Sequence, residues 1–258
     1  MKRKVLLRIL LGLLAVYVLY LAAQLILHPT ISGPSLTHDP LELRGAYHIH
    51  THFSDGRKTP EEIAHIASEL SLDFIILTDH GEPNMECLEA AGWMHGVLVL
   101  SGSELSVNRG HLVGLGFAAP SRPFSQNAER AVGQIRANGG MAVIAHPYHK
   151  VAWSWGEFIE YSGIEIINTN TMLQKAWAGV LPYAPLLLVR PEFVVCRMLY
   201  RPEKNLKKWD TLNRIHPVFG FYSVDAHLLY RPLLGALNLH ILLEAPLSGD
   251  FDRAAAQV

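Results

Sequence analysis

The stretch "YHIHTHFSDG", Tyr47 to Gly56, sets histidines at positions 48, 50 and 52 and an aspartate at 55. Alternate residues of a strand share a face, so His48 and His50 project the same way, about 7 Å apart at about 3.4 Å per residue. Further along, "LTDHG" supplies Asp79 and His80, "GSE" Glu104, "HLVGLG" His111, "AHP" His146 and "SVDAH" Asp225 and His227. Each short motif is common by itself, and a lone histidine beside an apolar run is an ordinary core or surface residue. Their placement together is unusual, because nearly every apolar run closes or opens on an imidazole or a carboxylate. Such groups are costly to bury unless they are paired or bound to a cation. Imidazole nitrogen with carboxylate oxygen suits Zn²⁺, Mn²⁺ or Fe²⁺ and not Ca²⁺, which takes oxygen alone. The two cysteines, Cys87 and Cys196, are not spaced as a metal knuckle, and whether they bridge is open at this level.

These residues need a scaffold that brings strand ends together. Strand-length apolar runs occur in "AYHIH", "FIILTDH", "VLVLSGSELS", "HLVGLGF", "MAVIAHP", "GIEIINTN", "VFGFYSVDAH" and "LNLHILLEAP". Helical patterns lie between several of them. "TPEEIAHIASEL" opens with Thr59 as N-cap, Pro60 at the first helical position and Glu62 completing a capping box. "NMECLEAAGWM" and "AERAVGQIRANGG" read as two more helices. Alternating strands and helices predict a mostly parallel sheet, and strands apolar on both faces predict cover on both sides. Seven or so such steps in about 210 residues close a barrel more naturally than a flat sheet. In a parallel barrel the carboxyl ends of the strands share one face, which hosts the chemistry.

In this order the motifs "HIHTHFSDG", "LTDHG", "GSE", "HLVGLG", "AHP" and "SVDAH" resemble those of the polymerase and histidinol phosphatase (PHP) superfamily, over roughly Ala46 to His227. The resemblance implies a distorted (β/α)7 TIM-like barrel that holds two or three divalent ions, Mn, Zn or Fe, and hydrolyses phosphate esters. Carried over position by position, His48, His50, Glu104 and Asp225 would hold one ion. Glu104 would bridge to a second ion held by His111 and His146, and Asp55, His80 and His227 would hold a third. Catalysis would then rest on Glu104, Asp225 and His146. Two ions about 3.5–4 Å apart can share a bridging hydroxide that attacks phosphorus in line. The chain departs from the family in its greasy segment Leu181 to Tyr200 and in its amino-terminal apolar run.

Other polar residues are candidates for substrate contact or support. Arg109 in "NRGH" and His149 in "HPYHK" are placed to meet a substrate phosphate. Strand alternation puts Glu165 and Ile167 on one face and Asn168 on the other, and Asn168 is the one expected to line the pocket. Asp79 is expected to orient a ligand imidazole. His52 continues the visual pattern of the first motif but leads into a turn, so a rim position is expected. Trp153 and Trp155 wall the pocket or cover the barrel.

The first 30 residues make a separate statement. Lys2, Arg3, Lys4 and Arg8 accompany an apolar run from about Val5 to Leu27. A run of roughly 20 apolar residues spans a bilayer core, whereas the apolar region of a signal peptide is about 7–15 residues. Residues 1–27 are therefore read as a single transmembrane helix, with a cleaved signal peptide as the competing reading. The basic residues put the amino terminus in the cytoplasm and the rest outside it. Residues 28–44 read as a linker and 45–258 as the barrel, with an insertion at 181–215. Leu181 to Tyr200 carries three prolines and two arginines. It reads as an insertion packed on the barrel or as a patch that dips into the membrane surface.

With a net charge of −1 and no basic stripe, no nucleic-acid partner is expected, and no obligate protein partner is evident. The partners expected are a small phosphorylated substrate and, through residues 5–27, the lipid bilayer. The leading reading is thus a membrane-anchored, metal-dependent phosphoesterase outside the cytoplasm. An exonuclease or nucleotide phosphodiesterase on the same scaffold is the alternative, with an amide or lactone hydrolase behind it. A non-catalytic metal-binding or interaction module is the alternative of another class.

Overall fold

The computed structural model describes residues 2–27, 41–150, 153, 155–156 and 159–258. Most of the expected linker, residues 28–40, lies outside them. The amino-terminal helix α1 (Lys2–Leu27) comes first, and β1 (Glu42–Ile49) opens the sheet, so Glu42 to Arg44 belong to the strand and not to a linker. There follow α2 (Pro60–Glu69), β2 (Phe74–Leu77), α3 (Met85–Glu89), β3 (Gly92–Met94), β4 (Val97–Val107) and β5 (Gly110–Leu115). Next come α4 (Ala128–Ala137), β6 (Met141–Ala145), β7 (Gly163–Asn168), α5 (Thr169–Val180), a 3-10 helix (Leu181–Leu188) and α6 (Pro191–Cys196). The last elements are α7 (Glu203–Asn213), β8 (Phe219–Ser223), α8 (Tyr230–Ala236), β9 (Leu239–Leu242) and α9 (Phe251–Gln257).

All eight apolar runs become strands, in the order β8-β7-β6-β5-β4-β2-β1-β9. The sheet curls into a nearly closed barrel. Val224 donates to the carbonyl of Tyr47, and His50 and Ala226 bond across the same seam, so the chain leaving β8 seals against the end of β1. The expected mostly parallel sheet is mixed instead. The pairs β1-β2, β2-β4, β6-β7 and β7-β8 are parallel, but β5 runs against both neighbours and β9 runs against β1. Connection length decides this. Val107 pairs with Gly110, leaving two residues for the turn, and two residues make a hairpin but never a parallel crossover. Arg109 takes the left-handed conformation this turn needs, at φ 65°. A second departure is "GWM", expected to end a helix. Gly92 to Met94 pair antiparallel with β4 instead, after α3 has stopped at Glu89.

Alternation sorts the core into an inside and an outside. Tyr47, Phe74, Ile76, Leu98, Val113 and Val143 meet inside the barrel, where α9 packs Ala254 against the same cluster. Ala46, Ile49, Ile75, Leu77 and Val99 face outward under Ile63 and Ala67 of α2 and Leu233 of α8. The interior is tight: a side chain at Gly45 would meet the Phe74 ring at 2.5 Å. The capping box forms as expected, with Thr59 Oγ1 accepting from Glu62 N and Glu62 Oε2 from Thr59 N.

The amino-terminal helix is long and apolar enough to cross a membrane. Most of its large side chains are exposed, unlike those of a soluble core helix. Its second half rests on the greasy segment. Leu21 packs with Leu186, Phe193, Val194 and Met198, and the Tyr17 hydroxyl donates to the Pro182 carbonyl at 2.9 Å. Cys87 is buried and Cys196 exposed, and both are free thiols.

Candidate metal centre

One face of the barrel gathers the nine candidate ligands around a cavity of about 580 Å³. Asp55, His80, Glu104, His111, His146, Asp225 and His227 line it, while His48 and His50 stand fully buried behind them. At the centre is Glu104 on β4, 1% exposed. Its two oxygens face different partners. Oε1 lies 2.7 Å from His111 Nδ1 and 2.8 Å from His146 Nε2. Oε2 lies 3.1 Å from Nε2 of both His48 and His50, and 3.4 Å from His80 Nδ1. Asp225 Oδ1 sits 3.7, 3.6 and 3.4 Å from the nearest nitrogens of His48, His50 and His227. Asp55 reaches in from the turn after β1, with Oδ1 3.3 Å from both His50 Nδ1 and His227 Nε2.

The backbone bends to achieve this. His48, His146 and Asp225 hold φ of 68°, 24° and 52°, a region that non-glycine residues rarely occupy. Each such residue costs about 1–3 kcal/mol, and surrounding structure must hold it there. At His48 the pairing register between β1 and β2 slips between Tyr47 and Ile49. That slip brings Nε2 of His48 and His50 to 3.1 Å of each other, where an unbroken strand would hold their attachment points about 7 Å apart.

The donor set fits divalent cations. Among the described residues four groups have donor atoms within 4.8 Å of one another: His48, His50 and Glu104; His48, His146 and Asp225; His80, Glu104 and His111; and His50, Asp55, His80 and His227. Spacings near 3.1 Å are close to the roughly 3.3 Å between two ligands of one tetrahedral zinc ion. Among the described residues His80 Nδ1 is a buried atom with no hydrogen-bond partner, as expected of a lone pair that awaits a cation.

Electrostatics point the same way. Burial opposes charge on His48, yet Glu165, Glu104 and Asp225 outweigh it and hold its pKa well above the ordinary value. Burial also opposes charge on His50, and hydrogen bonds to Asp55 and Glu104 raise it to about 9. On His80 burial prevails and the pKa falls. Burial works against the Glu104 carboxylate, but His48 and the bonds from His111 and His146 hold it well below its usual range. In the metal-free protein, protons on imidazoles thus do the work a cation would do. Stability from the His50 interactions is complete below its ordinary value of 6.5 and is lost as pH climbs through about 9. The melting temperature of metal-free protein is therefore expected to fall between about pH 7 and pH 10. Metal-loaded protein should show no such fall, since ions replace those protons. Parallel melts with and without a chelator check this, and coincident curves would contradict it.

Sequence reasoning missed Glu165 as a partner of the site. It is fully buried on β7, with Oε1 2.5 Å from His48 Nδ1 and Oε2 accepting from His146 N at 2.8 Å. Asn168, expected at the pocket, does not line the metal-centre cavity; it is the N-cap of α5 and lines a second hollow beside that cavity. Its Oδ1 accepts from Thr171 N at 2.8 Å and its Nδ2 donates to Glu165 at 2.9 Å. The register of β7 against β8 slips between Glu165 and Ile167, which breaks strict alternation and lets Glu165 and Asn168 meet. A carboxylate inside the otherwise apolar run "GIEIIN" was the available signal.

Among the described residues no imidazole bonds to Asp79 directly; Ser54, which donates to it, stands 3.4 Å from His50 Nδ1. Asp79 accepts from Thr51 N, Thr51 Oγ1 and Ser54 Oγ at 2.7, 2.8 and 2.6 Å, and so holds the turn that carries Asp55. Tyr230 steadies the same turn by donating to the His50 carbonyl at 2.9 Å. Gly56 is required there, since a side chain would meet that carbonyl oxygen at 2.3 Å. His52 is exposed beside Phe53, outside the site. Arg109, His149 and Trp153 line the cavity, and Trp155 packs beside Trp153.

No family model matches the chain. An uncharacterized protein of Methanocaldococcus jannaschii is 27% identical over 144 residues, covering 49% of this chain and 82% of that protein. The similar solved structures include the following three. A two-domain protein of Bacteroides vulgatus containing a predicted PHP-like metal-dependent phosphoesterase has a TM-score of 0.47 and 21% identity over 72% of this chain. The match spans 52% of that protein, about half its length. An amidohydrolase of Chromobacterium violaceum with bound sulfate has a TM-score of 0.46 and 18% identity, over 72% of this chain and 88% of that one. A protein of Bifidobacterium adolescentis assigned to the metal-dependent phosphoesterases has a TM-score of 0.46 and 14% identity, over 71% and 87%.

Proposed function

We propose that the chain is a metal-dependent hydrolase of phosphate esters of the PHP type, acting on small phosphorylated molecules outside the cytoplasm. The observation that carries this reading is Glu104, whose two carboxylate oxygens each face a separate set of imidazoles. That geometry suits a ligand shared by two ions. By the resemblance, His48, His50 and Asp225 would hold one ion with Glu104, His111 and His146 would complete a second, and Asp55, His80 and His227 would hold a third. The donor atoms as they stand set His111 with His80 and Glu104, and His146 with His48 and Asp225. Divalent ions so placed supply Lewis acidity to a phosphoryl group and a nucleophile at neutral pH. The protein's own residues do the rest. Glu165 fixes His48 through Nδ1, leaving Nε2 to face the cavity side. Arg109 and His149 stand on the cavity wall, where they can meet phosphate oxygens that the ions do not hold. Burial lowers the pKa of His149, despite its hydrogen bond to Gln174, which keeps it neutral at neutral pH.

The test uses the purified full chain in detergent. Metal analysis should find at least two transition-metal ions per chain. An aryl phosphate should be hydrolysed, with loss of rate on chelation and recovery on adding Mn²⁺ or Zn²⁺. A well-folded protein that binds one ion or none, and is inert to aryl phosphate monoesters and diesters, would overturn the reading.

For location, we propose that α1 is an uncleaved anchor with the amino terminus cytoplasmic. Its support is the exposed apolar length of α1 and the basic residues before it. The packing of Tyr17 and Leu21 on the greasy segment would then hold the barrel close to the bilayer. The chain should stay with membranes through an alkaline carbonate wash and leave only with detergent, and a reporter after Val258 should work only on the far side. Release by carbonate, or reporter activity in the cytoplasm, contradicts the anchor.

A further inference from the structure

A second hollow, of about 340 Å³, opens beside the metal centre and shares His146 with it. The first two turns of α5 form the wall between them. Asn170 and Gln174 face the metal-centre cavity, while Thr171 and Lys175 face the second hollow, each pair spaced i, i+4 along the helix. Across from α5 the hollow is bordered by two exposed cations, Arg201 just before α7 and Lys204 in its first turn.

Two independent features mark it as a place for an anion. The first is charge. Glu203 is the sole acid on the wall among the described residues, and it is paired with Arg201 at 3.0 Å. Among the described residues no carboxylate pairs with Lys175 or Lys204. The Lys175 ammonium donates to the Tyr148 carbonyl at 2.5 Å, which aims it. Partial burial and then the nearby Lys204 charge lower the Lys175 pKa, so the two cations are close enough to repel. The second feature is an orphan hydroxyl. Thr171 is 8% exposed and lines the hollow, and its Oγ1 is buried with no hydrogen-bond partner among the described residues. Its backbone N–H is already satisfied by Asn168, so the helix end itself is capped. Buried hydroxyls in folded proteins are nearly always bonded, and an anion oxygen would supply the missing acceptor.

Resting on the phosphoesterase reading above, we propose that this hollow binds a second, non-reacting anionic group of the substrate while the scissile phosphate occupies the metal centre. The substrate is then a small molecule with two anionic groups, its linker passing over the first turn of α5 beside His146. Binding at a remote group of this kind is what lets an enzyme prefer one phosphate ester over others.

The test compares butyl phosphate, 1,4-butanediol bisphosphate and 4-phosphobutyrate on the metal-loaded full chain in detergent. The bisphosphate, the carboxylate analogue or both should be preferred over butyl phosphate in kcat/KM by roughly ten- to a hundredfold, the range of one or two charged hydrogen bonds. Which of the two is preferred identifies the second group. In Lys175→Ala/Lys204→Ala the ratio of kcat/KM to that of butyl phosphate should fall toward one. Thr171→Val, nearly the same in shape, should lower the ratio less. A binding readout separates this proposal from the catalytic reading. Inorganic sulfate should raise the melting temperature of the chelator-treated protein, and the rise should shrink in the double variant. If no ester is hydrolysed but the sulfate effect depends on the two lysines, the phosphoesterase reading fails and the anion site stands. Equal kcat/KM for all three esters, or a sulfate effect untouched by the double variant, overturns the anion site.

Discussion

Glu104→Gln is expected to lower aryl phosphate hydrolysis by roughly a hundred- to a thousandfold, the range for losing a group aimed at developing charge. It should also remove at least one bound ion per chain. Glutamine keeps the shape of the side chain but offers one oxygen and one NH₂ where glutamate offers two oxygens. In the structure Oε1 serves His111 and His146, and Oε2 serves His48, His50 and His80. Whichever way the amide turns, one set faces an NH₂ that cannot bind a cation. Removing the charge also leaves the surrounding imidazoles without the carboxylate that holds their protons, so metal-free Glu104→Gln should melt differently from the parent. Metal content by mass spectrometry, hydrolysis rate and circular dichroism together check the expectation. A folded variant with unchanged metal content and rate would show that Glu104 bridges nothing.

The second large effect is expected at Glu165, which never reaches the cavity. Glu165→Gln should weaken metal binding by roughly ten- to a hundredfold, the range for losing the partner that orients a ligand histidine. The carboxylate holds His48 Nδ1 and His146 N at once, and so sets one imidazole and the left-handed backbone of another. An amide there retains an acceptor for one of them and turns an NH₂ toward the other. Glu165→Leu should be worse for stability, because His146 N and Asn168 Nδ2 both lose an acceptor, at about 1–3 kcal/mol for each buried donor left unmet. Competition against a chelator measures the first effect and thermal melts the second. Metal affinity unchanged in Glu165→Gln would reduce Glu165 to a core residue with a charged end.

Much of this fold is legible without coordinates. Hydrophobic runs mark the eight strands that form the order β8 to β9, and Thr59, Pro60 and Glu62 announce the start of α2. The candidate ligands are legible because each sits in a short motif on or just beyond an apolar run. The lost details share a cause. The direction of β5 follows from a two-residue turn, and the strand at Gly92 to Met94 owes its pairing to β4. Both are decided by neighbours in space. Asp79 lies next to His80 in the chain, but its partners are Thr51 and Ser54, brought to it by the pairing of β1 and β2.

The amino-acid sequence by itself therefore determines eight of the strands, their order along the chain and which residues are able to bind a cation. Those properties follow from the chemistry of each residue and the period of the strand, which act over a few neighbours. Only the tertiary structure decides who meets whom. His48 and Glu165 lie 117 residues apart and 2.5 Å from each other. Their meeting depends on a curled sheet that brings β1 and β7 to one interior, and on register slips at both strands. A slip of one residue turns side chains to the other face of a strand. Strict alternation, read along the chain, therefore puts Glu165 and Asn168 on opposite faces and overlooks the carboxylate that holds the first ligand.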